Sequence, residues 1–351
     1  MEEITMRILK IIRGRGGFNI SAWKFKVLIF IFLLYNHTFA FGEGGLQGRA
    51  FSDPAVRQIM PEEWKERAIR HDPHIKPVQD IVVTFDQHLF PLLRQHIKDY
   101  GKNHNLKIEV REGTCGISLG KLEKKMVDIG GFCCPAGEID RLPGLQFHTI
   151  GISPLLIIVH PENPLKDIEM DMVRQIFMGI KYTWSDIIPD ATLKVKFPVI
   201  LPIGRLHCKK RPGHWRLILD NEDLFSSRMK EVGSIVDMIS LVSSNRGAIG
   251  YETDLMVKRY RKIGEVKTLT VNGYDPGVMN NLLTRKYPLY RTYSITVWQD
   301  EHTRNKEVSS LLMNIKKIIH ESGDQMGIIP FSRLKEAGWL FEGSELIGEP
   351  E

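Results

Sequence analysis

Residues 112–135 read Glu-Gly-Thr-Cys-Gly-Ile-Ser-Leu-Gly-Lys-Leu-Glu-Lys-Lys-Met-Val-Asp-Ile-Gly-Gly-Phe-Cys-Cys-Pro, and two loops are visible inside this stretch. The first, Gly113 to Ser118, offers small residues and then a helix start, where free backbone N–H groups and the helix dipole favour an anion. Its helix is expected to run to about Met126. Val127 to Gly130 then reads as a short buried strand, and Gly131 to Pro135 as the turn leaving it, with Cys133 and Cys134 at the tip. Loop, helix, strand and loop thus return the chain to one edge, the signature of an α/β layer.

Working outward, Ile81-Val82-Val83-Thr84 begins a strand, and Leu92, Leu93, Ile97 and Tyr100 follow at helical spacing. Leu106 to Val110 gives a second strand. Strand, helix, strand predicts a parallel pair with a right-handed crossover, which sets Thr84 to His88 at the same sheet edge as Cys115. Downstream, Leu145 to Gly151 is set off by Ser153-Pro154 from Leu155 to Val159, whose unbroken apolarity marks a buried strand. Met170 to Gly179 reads as an amphipathic helix stopped by glycine, and Trp184 as packing. Val199 to Ile203 is the next strand and delivers a second chemically dense loop, 204–216, carrying Arg205, His207, Cys208, Arg211, Gly213 and His214. A solvated basic loop is the plain alternative there. A helix at Ser234–Ser244, strands at 247–251, 267–271 and 293–297, and a helix at 304–321 complete the count, and no internal repeat is present.

The 351 residues suffice for two lobes, and 42% apolar with 26% charged residues is the composition of a globular chain. The formal charge is +6, of which residues 1–40 hold +4, from six Lys or Arg against two Glu. The balance of +2 gives no case for nucleic acid, and no basic run is interleaved with aromatics. Residues 1–40 have a basic region, an apolar run from Val27 to Tyr35 and small residues at Thr38 and Ala40. They read as a cleavable secretory signal cut after Ala40, with a retained signal anchor as the rival. The mature chain is then expected to be extracytoplasmic, for instance periplasmic. Residues 41–77 read as an N-terminal extension that wraps or leads, with His71 and His74 as solvated surface.

Gly113-Thr-Cys-Gly-Ile117 followed by Val127-Asp-Ile-Gly-Gly-Phe-Cys-Cys-Pro135 resembles the phosphate-binding proteins of ABC transporters, the PstS-like solute-binding family. The similarity continues in Ala248-Ile-Gly-Tyr-Glu252, Tyr287-Pro-Leu-Tyr-Arg-Thr-Tyr293 and Gln325-Met-Gly-Ile-Ile-Pro330. The resemblance implies a type II periplasmic-binding-protein fold, α/β, with two lobes, each a mostly parallel sheet flanked by helices, and a ligand cleft between them. One lobe is expected at 78–157 plus 290–345 and the other at 158–289. It also implies a binding protein rather than an enzyme, no required cofactor, a small anionic solute as ligand, a monomer, and ABC transporter membrane subunits as partners. Carried onto this sequence, the ligand positions are Thr84, Gly113, Thr114, Cys115, Gly116 and Ser118, with Cys133 and Cys134 at the strand end. From the second loop come Arg205 or Arg211 as the anion-binding arginine, Gly213, and His214 where the family has Thr.

Three cysteines stand where that family more often has Ser, Asp or Arg, so the chemistry departs from the pattern. Four cysteines in an exported chain suggest disulfides. Adjacent Cys133 and Cys134 are poorly placed to bond to one another, so a bridge from Cys115 to either is the favoured pairing. The other reading is a soft-metal site for zinc or copper, or a redox centre, built from Cys115, Cys133, Cys134, His207, Cys208 and His214. These six residues are expected to be neighbours across the cleft, where the cluster could hold a metal or close one such bridge and leave the others free.

Overall fold

The computed structural model describes residues 48–72, 78–188, 199–300 and 305–351. The expected signal sequence and His74 lie outside these residues. β1 (Ile81–Asp86) is β-branched or aromatic through Phe85 and is buried along its whole length. α1 (Leu89–Asn103) lays Leu89, Leu92, Leu93 and Ile97 on the sheet, and β2 (Ile108–Gly113) pairs with β1 in parallel. α2 (Cys115–Glu123) starts where Thr114 caps it, its Oγ1 accepting the Ile117 N–H at 3.2 Å. The helix stops short of Met126 because Lys125 turns left-handed at φ 51°. Its ammonium donates to the Lys65 and Arg67 carbonyls at 2.9 and 2.7 Å and lies 4.5 Å from the Trp64 ring. β3 (Ile129–Phe132) therefore begins two residues later than the sequence suggests, and it too runs parallel to β1.

The apolar stretches 145–151 and 155–159 form one strand, β4 (Leu145–Val159), and not two. The proline between them marks a change of partner. Up to Pro154, β4 pairs with β9 (Tyr290–Trp298), and from Leu155 onward with β7 (Ala248–Thr253), both antiparallel. The missing N–H thus falls at the switch, where it interrupts no ladder. α3 (Met170–Met178) ends on Gly179 at φ 80°, a left-handed cap that favours glycine. β5 (Leu201–Gly204), β6 (Lys230–Glu231), α4 (Ile235–Ser244), β8 (Lys267–Val271) and α5 (Lys306–Ser322) complete the elements that matter below.

The sheet order is β2-β1-β3-β9-β4-β7-β5-β6. Each wing is parallel, β2-β1-β3 on one side and β7-β5-β6 on the other, and the two long strands β9 and β4 join them antiparallel. One core packs α1, α2 and α5 on the first wing. A second lies around the outer half of β4 with α3, Trp184 and Trp215, and a third under α4. Trp184 is packing, as expected, its Nε1 donating to the Gly247 carbonyl at 3.1 Å. The carboxyl ends of β1, β2, β3 and β5 lead directly into the loops that carry the chemistry, the usual place for a ligand in such sheets.

Residues 48–72 lie along this body. Gln58 N–H bonds to the Arg141 carbonyl, Arg70 N–H to that of Lys125, and Gly213 N–H to that of Arg49. Trp64 Nε1 donates to the Glu123 carbonyl at 2.6 Å. His71 is not solvated surface: its Nε2 sits 2.7 Å from Asp128 Oδ2, which also accepts the Val82 N–H. The Asp128 hydrogen bond raises the imidazole pKa against partial burial. A raised folded-state value stabilises the fold fully below the unfolded value and ceases to as pH rises through the folded one. His71→Ala is therefore expected to cost about 1 kcal/mol near pH 6 and markedly less near pH 9. Urea melts at the two pH values check this; an equal loss at both would show that the pair contributes no charge term.

Candidate functional site

A cavity of about 220 Å³ opens at these strand ends, between the two wings of the sheet. Of the expected positions, Thr114, Cys115, Gly116, Cys133, Arg205, His207, Cys208 and Arg211 line it. Asp86, Gln87, His88 and Gly233 line it as well, although the sequence had not singled them out as ligand positions. The remaining expected positions serve the walls. Ser118 Oγ donates to the Thr84 carbonyl at 3.0 Å, which fixes α2 on β1 and takes that hydroxyl out of ligand binding. Gly113 closes β2 opposite Asp86. Gly213 adopts φ 72° against Pro135. His214 is buried behind the cavity, its ring 5.0 Å from that of His207 and 5.6 Å from that of Tyr251. The second loop starts no α-helix; a single 3-10 turn, His214–Leu217, follows Gly213. The helix-start amides near the cavity are those of α2.

Three buried arginines stand at or beside the cavity, and their partners differ. Arg211 is held in a two-pronged contact by Asp140, with Nε to Oδ2 at 2.8 Å and Nη2 to Oδ1 at 2.5 Å. It is thus held in a buried ion pair while it also lines the cavity. Arg205 gives Nη1 to Glu252 Oε2 at 3.0 Å and Nη2 to Gln87 Oε1 at 3.1 Å, while its Nε is buried with no partner. Arg291, on β9, donates Nη1 to the Cys133 carbonyl and Sγ at 3.3 and 3.1 Å. Its Nε and Nη2 have no acceptor. Glu252 also meets His88, Oε1 to Nε2 at 2.9 Å. Burial opposes its charge, but His88, Arg205 and Arg291 hold the carboxyl well below the usual range. His88 is lifted well above its ordinary value by Glu252 and Asp86, against burial and Arg291.

The cysteines do meet, from three separate segments of chain. Cys115 and Cys133 Sγ are 3.5 Å apart, and Cys208 packs against the same core as Cys115, Cys133 and Cys134. All four are free thiols in this structure. The expected bridge from Cys115 is not formed, because 3.5 Å is a thiol contact and an S–S bond spans about 2.05 Å. The zinc or copper set expected from four Cys with His207 and His214 is also not what converges. Among the described residues, the group whose ligand atoms lie within 4.8 Å of one another is Asp86, His88 and Cys133.

The thiols differ in acidity. For Cys133 the Cys115 contact raises the pKa, but hydrogen bonding with Cys134 and the charge of Arg291 bring it down to about 5. Cys208 falls to about 5 through Cys115, Cys134 and Arg211, whereas Cys134 is pushed well up by its three thiol neighbours and by burial. Cys208 alone is not fully buried. Iodoacetamide at about pH 6 is therefore expected to label Cys208 first, since thiolate and access coincide there. Peptide mass mapping reads the order, and prior labelling of Cys134 would contradict it.

A family model described as a PBP superfamily domain matches residues 71–313. The chain belongs to the PBP superfamily. Phosphate-binding protein PstS of Bacillus subtilis (strain 168) is 24% identical over 208 residues, which are 58% of this chain and 62% of that protein. The chain thus spans somewhat under two thirds of that curated relative. Among solved structures, an ABC-type phosphate transport receptor from Vibrio cholerae aligns with a TM-score of 0.54 at 18% identity, covering 71% of this chain and 99% of the other. A substrate-binding protein of Clostridium perfringens solved with bound phosphate aligns with a TM-score of 0.58 at 18% identity, covering 71% and 98%. These likenesses are of fold, and they agree with the two-lobed PBP architecture expected from the sequence.

Proposed function

We propose that this PBP-superfamily protein binds a small tetrahedral oxyanion, with phosphate the leading candidate, and that its role is binding rather than catalysis. The observation that carries this is the pair of buried guanidiniums with unpartnered N–H groups: Arg205, which lines the cavity, and Arg291, which lies behind it and bonds to the lining residue Cys133. Leaving a buried charged donor unsatisfied is expensive, about 1–3 kcal/mol or more, and an oxyanion supplies acceptors of the right charge. Thr114 and the first amides of α2 add neutral donors on the first wing. Arg205 comes from the second wing, so the ligand joins both sides of the cleft. The lobes are taken as 78–157 with 290–345, and 158–289. The phosphate-binding and ABC-transport relatives support delivery to an ABC transporter outside the cytoplasm, and the basic and apolar pattern of residues 1–40 supports export through them; a monomer suffices for such a role.

Calorimetry tests the reading. Phosphate, sulfate and arsenate are titrated in turn, and one of them should bind 1:1. Arg205→Ala should weaken that ligand at least tenfold, since a charged hydrogen bond is worth about 1.5–3 kcal/mol. No binding by any of the three, or binding indifferent to Arg205→Ala, defeats the proposal.

A further inference from the structure

Two buried atoms in the cavity wall remain without a role in anion binding. Asp86 Oδ2 and His88 Nδ1 have no hydrogen-bond partner, and their residues are only 2% and 1% exposed. Each is half of a side chain whose other half is fixed. Asp86 Oδ1 accepts the His88 backbone N–H at 2.8 Å. His88 Nε2 is held by Glu252 at 2.9 Å. The unpartnered ring atom Nδ1 lies 3.3 Å from Asp86 Oδ1, and Cys133 Sγ falls within the same 4.8 Å group.

We propose that Asp86, His88 and Cys133 form a site for one divalent transition ion of the zinc type, with its fourth position open to the cavity. Ligands bonded at about 2.0–2.3 Å in a tetrahedron stand roughly 3.5 Å from one another, close to the 3.3 Å between His88 Nδ1 and Asp86 Oδ1, and Oδ2 of the same carboxylate is free. The donors are one thiolate, one imidazole and one carboxylate, a mixture that suits zinc or cobalt. Glu252 plays the supporting part common at such sites. A carboxylate on the far ring nitrogen fixes the tautomer and aims the other nitrogen at the metal. Arg291, donating to Cys133 Sγ at 3.1 Å, supports the thiolate from outside. Strand β1 and the start of α1 hold two of the ligands, and the turn after β3 the third, so the scaffold is rigid. Binding takes the imidazole through Nδ1 in its unprotonated form and the sulfur as thiolate. The inference stands on these three residues and is independent of the oxyanion reading.

The test uses the full chain stripped with a chelator and titrated with cobalt(II) without phosphate. One equivalent should enter with tetrahedral d–d absorption and a near-ultraviolet thiolate-to-cobalt charge-transfer band. X-ray absorption of the zinc-loaded wild type should report one sulfur, the remaining ligands being nitrogen or oxygen. Cys133→Ser should abolish the charge-transfer band, His88→Gln should weaken uptake at least 100-fold, Glu252→Gln about 10- to 100-fold, and Cys134→Ser should leave both band and affinity in place. No uptake by the wild type overturns the proposal. So do a charge-transfer band that survives Cys133→Ser and a sulfur count of two or more, which would move the ion onto the other thiols. Because the wild-type spectra alone can refute it, a variant that fails to fold does not protect the idea. Anion calorimetry in the presence of chelator separates its failure from that of the oxyanion site.

Discussion

Asp140→Asn is expected to lower stability by about 3–5 kcal/mol, the usual loss when one partner of a buried pair is removed and the other charge stays. Asp140 is fully buried and Arg211 is 5% exposed. The carboxylate takes both prongs of the guanidinium and, through Oδ2, the Gly137 N–H at 2.9 Å, so it also fixes the turn after Cys134. Burial lifts the Asp140 carboxyl above its ordinary value, and the permanent charge of Arg211 opposes that lift. The amide variant keeps the shape but strands the Arg211 charge beside Phe132, whose ring lies 5.6 Å from the guanidinium carbon. Denaturant unfolding measures the loss; a change below about 1 kcal/mol would mean that water reaches Arg211 and that the pair is not structural. The double replacement Asp140→Leu with Arg211→Met should recover most of the stability, since an apolar pair of similar volume needs no charge compensation.

Arg291→Met should produce a different pattern. Oxyanion affinity is expected to fall by about 100-fold or more, because the charge and two free N–H groups leave together. Stability should fall by less than for Asp140→Asn, since the partner left behind is the Cys133 thiolate, which can take up a proton and then needs no counter-charge. Calorimetry and urea melts on one preparation give both readings. Unchanged affinity would take Arg291 out of the ligand site, and a large loss of stability would make it a core residue like Arg211.

Much of the fold was legible because local signals and tertiary environment agree. The apolar run Leu155–Val159 reads as a buried strand, and it is one, with all five residues buried. Val-Asp-Ile-Gly-Gly-Phe reads as strand then turn, and its glycines are forced by proximity. A Cβ on Gly130 would meet Leu122 Cδ1 at 2.5 Å, and one on Gly131 would meet Phe85 Cδ1 at 2.4 Å. What misled was Pro154, whose usual meaning as a strand break hides a change of partner that only the three-dimensional sheet reveals.

The site was half legible. Cys115, Cys133, Arg205 and Cys208 follow strands and reach the cavity as the topology requires. Asp86 and His88 end a strand whose apolar run drew attention away from them. Glu252 and Arg291 lie inside the Ala248–Glu252 and Tyr287–Tyr293 stretches, whose resemblance speaks to the fold. A signal for them was present: an ionisable residue within a strand that is otherwise apolar or aromatic must either find a partner or serve a ligand. That Arg205 and Arg211 each meet a buried carboxylate could not be read, because Glu252 lies 47 positions from the first and Asp140 71 from the second, and only the fold joins them.

β9 lies between β3 and β4 and pairs antiparallel with both, though β3 and β4 are close in the chain and β9 is made some 130 residues later. Sequence neighbours are thus kept apart by a slot one strand wide until the segment 290–298 arrives to fill it. During synthesis from the N-terminus, β3 and β4 present unsatisfied edges, the first core lacks the side chains of β9 and α5, and the Arg291 contact with Cys133 cannot form. Late insertion of a central strand places a high loop-closure entropy before the transition state, so folding should be slow and post-translational. Until then the chain stays open, exposed to holdase chaperones and prone to edge-to-edge association.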